Sequence, residues 1–169
     1  MKKSRYKALY EPVRLWFEKD RRRITILKIF YKSVPLMIAA IYILIAAWLL
    51  LNADLRLAVF IGVPCAVFYI VSLIRKVFDR ERPYEGENAV TPMIPKDKKG
   101  QSFPSRHALS ASLIAVACIY INLYVGAAVF VLSLIVAVTR VLAGVHYPSD
   151  VIAGLSVGYI TGGIIFFLM

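Results

Sequence analysis

Residues 124–168 read YVGAAVFVLSLIVAVTRVLAGVHYPSDVIAGLSVGYITGGIIFFL. Two apolar runs, Tyr124–Leu142 and Val151–Leu168, flank one short joint, Val145–Ser149. Each run is about as long as the hydrocarbon layer of a bilayer requires of a helix. A helix satisfies its own backbone groups, so it can cross lipid where other conformations cannot. The stretch therefore reads as a transmembrane hairpin. Arg140, His146 and Asp150 lie at its turn, and ionisable groups beside a membrane are costly enough to require a reason.

The rest of the chain fits the same pattern. Of its 169 residues, 60% are hydrophobic, and the mean hydropathy of +0.70 is beyond the range of a soluble domain. Three further runs, Val34–Leu51, Leu55–Ile74 and Ala108–Ile121, bring the expected spans to five. The third of these is short, and borrowing Phe103–His107 as a first turn would lengthen it. The expected fold is an all-α polytopic membrane bundle in one domain, 34–169, with an active-site loop at 77–107 where proline and glycine break up a polar stretch. Met1-Lys2-Lys3 is basic, but no apolar core or small-residue cleavage site follows closely, so no signal peptide is expected. Cys65 and Cys118 fall inside expected spans, without partners at metal-ligand spacing.

The net charge is +11. Five spans place the N-terminus, the long loop and the 143–150 connection on one side, together with every basic residue except Arg56. The positive-inside rule makes that side cytoplasmic, in a bacterial cell membrane. Nucleic acid is not the expected partner of this charge, because it flanks spans; anionic headgroups are. Residues 1–33 read as an interfacial amphipathic segment, with Leu9, Val13, Trp16 and Phe17 on one stripe and basic residues between them. Gly154, Gly158 and Gly162, four apart, form a face for close helix packing, within the bundle or between copies.

Three strings carry chemistry. In the first, His146 and Asp150 are four apart around Tyr147-Pro148-Ser149, where proline suits the start of a helix. A carboxylate on one imidazole nitrogen fixes the tautomer and leaves the other nitrogen free to attack. Thr139 and Arg140 precede that pair. In the second, Pro104-Ser105-Arg106-His107 opens the Ala108 run, where unpaired N–H groups and the helix dipole favour an anion. Ser105 is placed both to cap and to bind phosphate. In the third, Arg75, Lys76 and Arg82 bracket the end of the Leu55–Ile74 run, and guanidinium forks match phosphate oxygens. Taken singly, these are an interfacial histidine beside a cap, an ordinary helix start and a basic stop after a span. Together they bring both histidines of the chain and the arginines to one side of the membrane.

With those residues in view, the chain resembles the type 2 phosphatidic acid phosphatase and vanadium haloperoxidase superfamily. That pattern runs Lys–six residues–Arg-Pro, then Pro-Ser-Gly-His, then Ser-Arg–five residues–His–three residues–Asp. Arg82-Pro83, Pro104-Ser105, His107, Arg140, His146 and Asp150 match it at the same spacing, over about residues 55–165. Arg75 stands at the lysine position with Lys76 beside it, Arg106 replaces the glycine, and Thr139 replaces the serine. Successive helical residues are about 100° apart, so only one of Arg75 and Lys76 faces the site, and Arg75 is the expected one. Members often have six spans; here the interfacial segment stands in place of the first.

The resemblance implies a membrane lipid phosphatase. His146 would be the nucleophile that becomes phosphohistidine, Asp150 its orienting partner, and His107 the acid and then the base. Arg75, Lys76, Arg82, Ser105, Arg106 and Arg140 would be the phosphate ligands. No cofactor is expected, and no carboxylate cluster suits a metal. The substrate would be a lipid phosphomonoester or pyrophosphate, such as polyprenyl diphosphate, phosphatidylglycerophosphate or phosphatidic acid. The competing reading is a non-catalytic membrane protein that binds anionic lipid. A hydrolase using Ser105 as nucleophile ranks below both, since Ser105 has no base–acid pair of its own.

Overall fold

The computed structural model describes residues 3–87 and 89–168. Six helices follow one another: α1 (Lys3–Glu18), α2 (Arg21–Leu51), α3 (Arg56–Phe78), α4 (Arg106–Ile121), α5 (Leu123–Leu142) and α6 (Pro148–Leu168). Among the described residues there is no strand. The protein is a polytopic helical bundle in which α2, α3, α5 and α6 are each long and apolar enough to cross a membrane.

α4 has only 16 residues, about 24 Å at 1.5 Å per residue. The turn expected from Phe103–Ser105 is not helical: Pro104 disfavours helix in the residue before it, and Ser105 is an extended N-cap. The helix can be short because it runs through the middle of the bundle, with Ala108, Leu109, Ala111, Ser112, Leu113, Ala115, Val116, Ala117 and Cys118 buried.

The glycine face of α6 seats it on α4. A Cβ at Gly154 would lie 2.6 Å from the Ser105 carbonyl oxygen, one at Gly158 would lie 2.8 Å from that of Leu109, and one at Gly162 would lie 3.0 Å from Val116 Cβ. This approach brings the N-terminal ends of the two helices together, where the Ser105 N–H donates to the Asp150 backbone carbonyl at 2.9 Å. The packing is thus within the chain, not between copies.

α2 is one helix of 31 residues. It runs through the boundary expected at 33/34 and past Pro35. Its inward stripe is Leu27, Tyr31, Val34 and Ile38, so apolar spacing continues across residues 21–33. Proline has no N–H and leaves the carbonyl four residues earlier without its helical donor. In α2 that is the Tyr31 carbonyl, and Arg140 donates to it at 3.3 Å. In α3 Pro64 does the same for Phe60, whose carbonyl accepts from the Tyr42 hydroxyl at 2.7 Å. Both prolines therefore open a carbonyl that a partner from another helix fills.

α1 folds back over the α5–α6 connection. Tyr6 and Tyr10 are buried, Tyr6 meets the Tyr147 ring edge-on at 5.0 Å between centroids, and the Tyr10 hydroxyl donates to the Leu142 carbonyl at 3.1 Å. Leu9, Val13 and Trp16 of the expected stripe point outward and are exposed.

Candidate active site

The C-terminal ends of α3 and α5 and the N-terminal ends of α4 and α6 meet at one end of the bundle. Residues 79–105 and 143–147 connect them. The long loop is tied down at its own carboxylate: Glu85 accepts from the N–H groups of Arg82 and Gly100, each at 2.8 Å. Met93 N–H donates to the Ala143 carbonyl at 3.1 Å, so the loop also grips the α5–α6 connection.

Asp150 is fully buried and shares out both carboxylate oxygens. Pro148 is the first residue of α6, so Asp150 occupies its third position and accepts the Tyr147 N–H on Oδ2 at 3.0 Å. That is the reciprocal half of a capping box. The same Oδ2 accepts from the Ser102 hydroxyl at 2.5 Å. Ser102 Oγ is in turn 3.3 Å from His146 Nδ1, while the direct Nδ1–Oδ2 separation is 3.6 Å. Since Ser102 gives its proton to Asp150, the bond network assigns the proton on His146 to Nδ1, pointing at Ser102. Nε2 is left with its lone pair. Oδ1 of Asp150 takes Arg80 Nη1 at 2.8 Å. Arg80 also donates to Ser149 Oγ at 3.0 Å and lies over the Tyr147 ring.

His146 is almost wholly buried. Burial holds its pKa below the ordinary imidazole value; Asp150 pulls upward, while Arg82 and Arg75 add to the depression. A neutral imidazole with a free Nε2 is a competent nucleophile.

The arginines are held by main-chain carbonyls. Arg75 is 1% exposed and donates to the carbonyls of Gln101 and Pro104. Arg82 donates to Gly100 O at 3.0 Å and to Val145 O at 3.4 Å. Arg140 stacks on Tyr31, 3.7 Å from its ring centroid, and its Nε is buried without a partner. Ser105 Oγ is likewise buried and unpartnered, and it makes no cap bond. An orphaned hydroxyl and an orphaned guanidinium N–H among cations are unfilled anion donors.

His107 stands at the rim, exposed, beside Arg106 at the start of α4. A cleft of about 390 Å³ runs from Arg106 and His107 between α2, α3 and α4, over Pro35, Ile38, Phe68 and Ile114.

The three strings thus converge, with one correction. Lys76, expected among the phosphate ligands, is exposed; one helical step turns it off the face that buries Arg75. The Thr139 hydroxyl donates to the Val136 carbonyl within its own helix at 2.9 Å. Ser102, Arg80 and Tyr31 also belong to the site and were not singled out from the sequence.

The sequence pattern of the PAP2 superfamily matches residues 55–169, a stretch holding all of these groups except α1 and Tyr31. The chain belongs to the PAP2 superfamily. It is 31% identical over 132 residues to the undecaprenyl-diphosphatase BcrC of Bacillus subtilis, covering 77% of this chain and 67% of that protein. It is 37% identical over 101 residues to the decaprenylphosphoryl-5-phosphoribose phosphatase of Mycobacterium tuberculosis, spanning 57% of this chain and about half, 51%, of that one. The crystal structure of Aquifex aeolicus LpxE shares the fold, with a TM-score of 0.71 at 23% identity over 92% of each chain. This PAP2 chain is a multi-pass membrane protein and a hydrolase of the lipid phosphatase class.

Proposed function

We propose that the chain hydrolyses a lipid phosphomonoester or pyrophosphate through a phosphohistidine on His146, without a metal. The observation that carries this reading is the His146–Ser102–Asp150 relay facing an anion cradle with two unfilled donors, Ser105 Oγ and Arg140 Nε.

His146 Nε2 attacks phosphorus while Asp150, through Ser102, steadies the imidazolium that forms. Arg75, Arg82, Arg140 and Ser105 hold the equatorial oxygens. His107 gives a proton to the departing oxygen, and then takes one from the water that cleaves the phosphohistidine. Phosphoryl transfer asks mainly for positioning and charge stabilisation, which a cluster of guanidinium groups supplies. Among the described residues, no group of three or more His, Cys, Asp and Glu side chains is arranged to hold a metal.

The substrate is a membrane lipid whose headgroup reaches the bundle end while its chain stays in the bilayer: polyprenyl diphosphate, phosphatidylglycerophosphate or phosphatidic acid. The charge distribution favours a bacterial cell membrane with the site on the cytoplasmic side. There α1 lies in the interface, its outward Leu9, Val13 and Trp16 in lipid and its basic residues among anionic headgroups.

The test is purified protein assayed for phosphate release, wild type against His146→Ala, with rapid quenching to trap an acid-labile, base-stable phosphoprotein. Release by wild type and its loss in the variant are expected. Equal release by both overturns the assignment, and no release from any lipid phosphate favours the non-catalytic reading.

A further inference from the structure

His146 lies on the short connection 143–147, which belongs to no helix. A segment without a helix of its own takes its position from what packs on it. Resting on the phosphatase reading, we infer that Tyr6 and Tyr10 of α1 are positioning residues for the reaction. They brace this connection from outside and so hold His146 and Asp150 in place.

α1 lies wholly outside residues 55–169, the stretch that the family pattern matches. It nonetheless closes over the end of the bundle that holds the site. Tyr6 and Tyr10 are about one helical turn apart and are each 4% exposed. Their rings stack with centroids 5.7 Å apart. They share one apolar cluster with Val145 and Tyr147 of the connection and with Val90, Met93 and Ile94 of the long loop. α1 is itself anchored to the first spanning helix: Arg23 of α2 donates to the Trp16 carbonyl at 2.7 Å and lies 3.7 Å from the centroid of the Trp16 ring.

The two ends of the connection are held by different chemistry. At Gly144 the backbone is left-handed, with φ +74°, and a Cβ there would lie 2.5 Å from the Tyr10 hydroxyl oxygen. Glycine permits both that conformation and that approach. From there the Tyr10 hydroxyl donates to the Leu142 carbonyl at 3.1 Å, one of those that the end of α5 leaves open. At the other end the Tyr147 ring meets Tyr6 edge-on and carries the Arg80 guanidinium 4.6 Å from its centroid. Arg80 binds Oδ1 of Asp150, and the Tyr147 N–H binds Oδ2. Tyr147 thus joins Tyr6 to both oxygens of the carboxylate that orients His146.

The tyrosines also differ in which part of the side chain acts. The Tyr6 hydroxyl is buried without a partner among the described residues, so its ring carries the contact. Tyr10 contributes a hydrogen bond.

The experiment measures kcat and KM for phosphate release from polyprenyl diphosphate, phosphatidylglycerophosphate and phosphatidic acid. The proteins are wild type, Tyr6→Phe, Tyr6→Leu, Tyr10→Phe and Tyr42→Phe. The last is a matched control: it too takes one hydroxyl from a main-chain carbonyl, that of Phe60, but about three turns along α2 from Tyr31. Both hydroxyl deletions should lower the unfolding temperature, and only Tyr10→Phe should lower kcat, roughly fivefold with KM unchanged. Tyr6→Leu should lower kcat about tenfold, and Tyr6→Phe, which keeps the ring, should match wild type. Amide hydrogen exchange across 143–150 should quicken in Tyr6→Leu and Tyr10→Phe alone. Should Tyr6→Leu fail to fold, Tyr10→Phe against Tyr42→Phe decides. Wild-type kcat in Tyr10→Phe or Tyr6→Leu, or an equal fall in Tyr42→Phe, overturns the brace and leaves the phosphatase reading standing. No release by wild type from any of the three lipids overturns both.

Discussion

Arg80 Nη1 sits 2.8 Å from Oδ1 of Asp150, a carboxylate with no solvent exposure. The guanidinium itself is only partly covered, so the pair links a buried charge to the water side of the loop. A buried carboxylate that loses its cation is strongly disfavoured. Arg80→Ala is expected to lower kcat about tenfold or more, with Arg80→Lys restoring part of it. The same change removes positive charge near the relay, leaving Asp150 better able to retain a proton on His146. The acid limb of the kcat/KM profile should therefore move to higher pH. A variant with reduced kcat and an unmoved acid limb would assign Arg80 a purely structural role.

The wild-type profile follows from the same groups. His146 acts neutral, and its pKa lies below the ordinary value of about 6.5 because it is buried. Activity should hold as pH falls past that value and decline only through the depressed one. His107 acts protonated as the acid once the bound phosphate offsets the cations around it, which adds an alkaline limb to the profile of the complex. The expected result is a bell, recorded as kcat from pH 4.5 to 9.5. A flat profile would contradict the two-histidine scheme.

Ser102 makes a narrower prediction. With Nδ1 and Oδ2 3.6 Å apart, the hydroxyl carries the contact between His146 and Asp150. Ser102→Ala should cost roughly 10-fold to 100-fold in kcat with little change in KM. Asp150→Asn should cost more, on the order of 10²–10⁴-fold. Steady-state kinetics on both variants distinguish a relay from a direct pair: equal activity of Ser102→Ala and wild type would make the direct pair sufficient.

Helix packing is testable apart from chemistry. A Cβ at Gly158 would come 2.0 Å from Ser112 Oγ and 2.8 Å from the Leu109 carbonyl oxygen, whereas one at Gly163 meets nothing within 4 Å. Gly158→Ala should destabilise the bundle by about 1–3 kcal/mol, and Gly163→Ala should be neutral or slightly stabilising. Thermal unfolding in detergent measures both. Gly158→Ala should also reduce activity, since the α4–α6 contact sets Ser105 against Asp150.

EDTA should leave turnover unchanged, and vanadate should inhibit by occupying the arginine cradle. Loss of activity on chelation, restored by added Mg²⁺, would remove the metal-free scheme.

How much of this was legible beforehand depends on the range of the interaction. The choice of Arg75 over Lys76 needed only the rotation per residue of one helix. The glycine face of α6 was visible from spacing alone, although its partner, α4, was not. Ser102 and Arg80 were hidden because they act through contacts 48 and 70 residues away in sequence, from a loop with no periodicity to reveal which side chains turn inward. Tyr31 was hidden for a different reason: its role passes through its carbonyl, and no side-chain pattern reports a main-chain acceptor. Residues 21–33 looked interfacial because their charges interrupt the apolar run, yet a helix needs only one stripe, and Leu27 and Tyr31 keep it going toward Val34.

The carbonyl that Pro35 leaves open gives the first spanning helix a mechanical handle on the active site. The apolar run Val34–Leu51 of α2 is about 27 Å long at 1.5 Å per residue, close to the roughly 30 Å of hydrocarbon it crosses, and a span so matched tilts when the bilayer thins. Arg140 is tethered to α2 through the Tyr31 carbonyl and ring, so a change of tilt displaces a guanidinium of the proposed phosphate cradle. Turnover should accordingly vary with acyl-chain length in reconstituted vesicles, and Tyr31→Leu, which removes the ring, should blunt that variation.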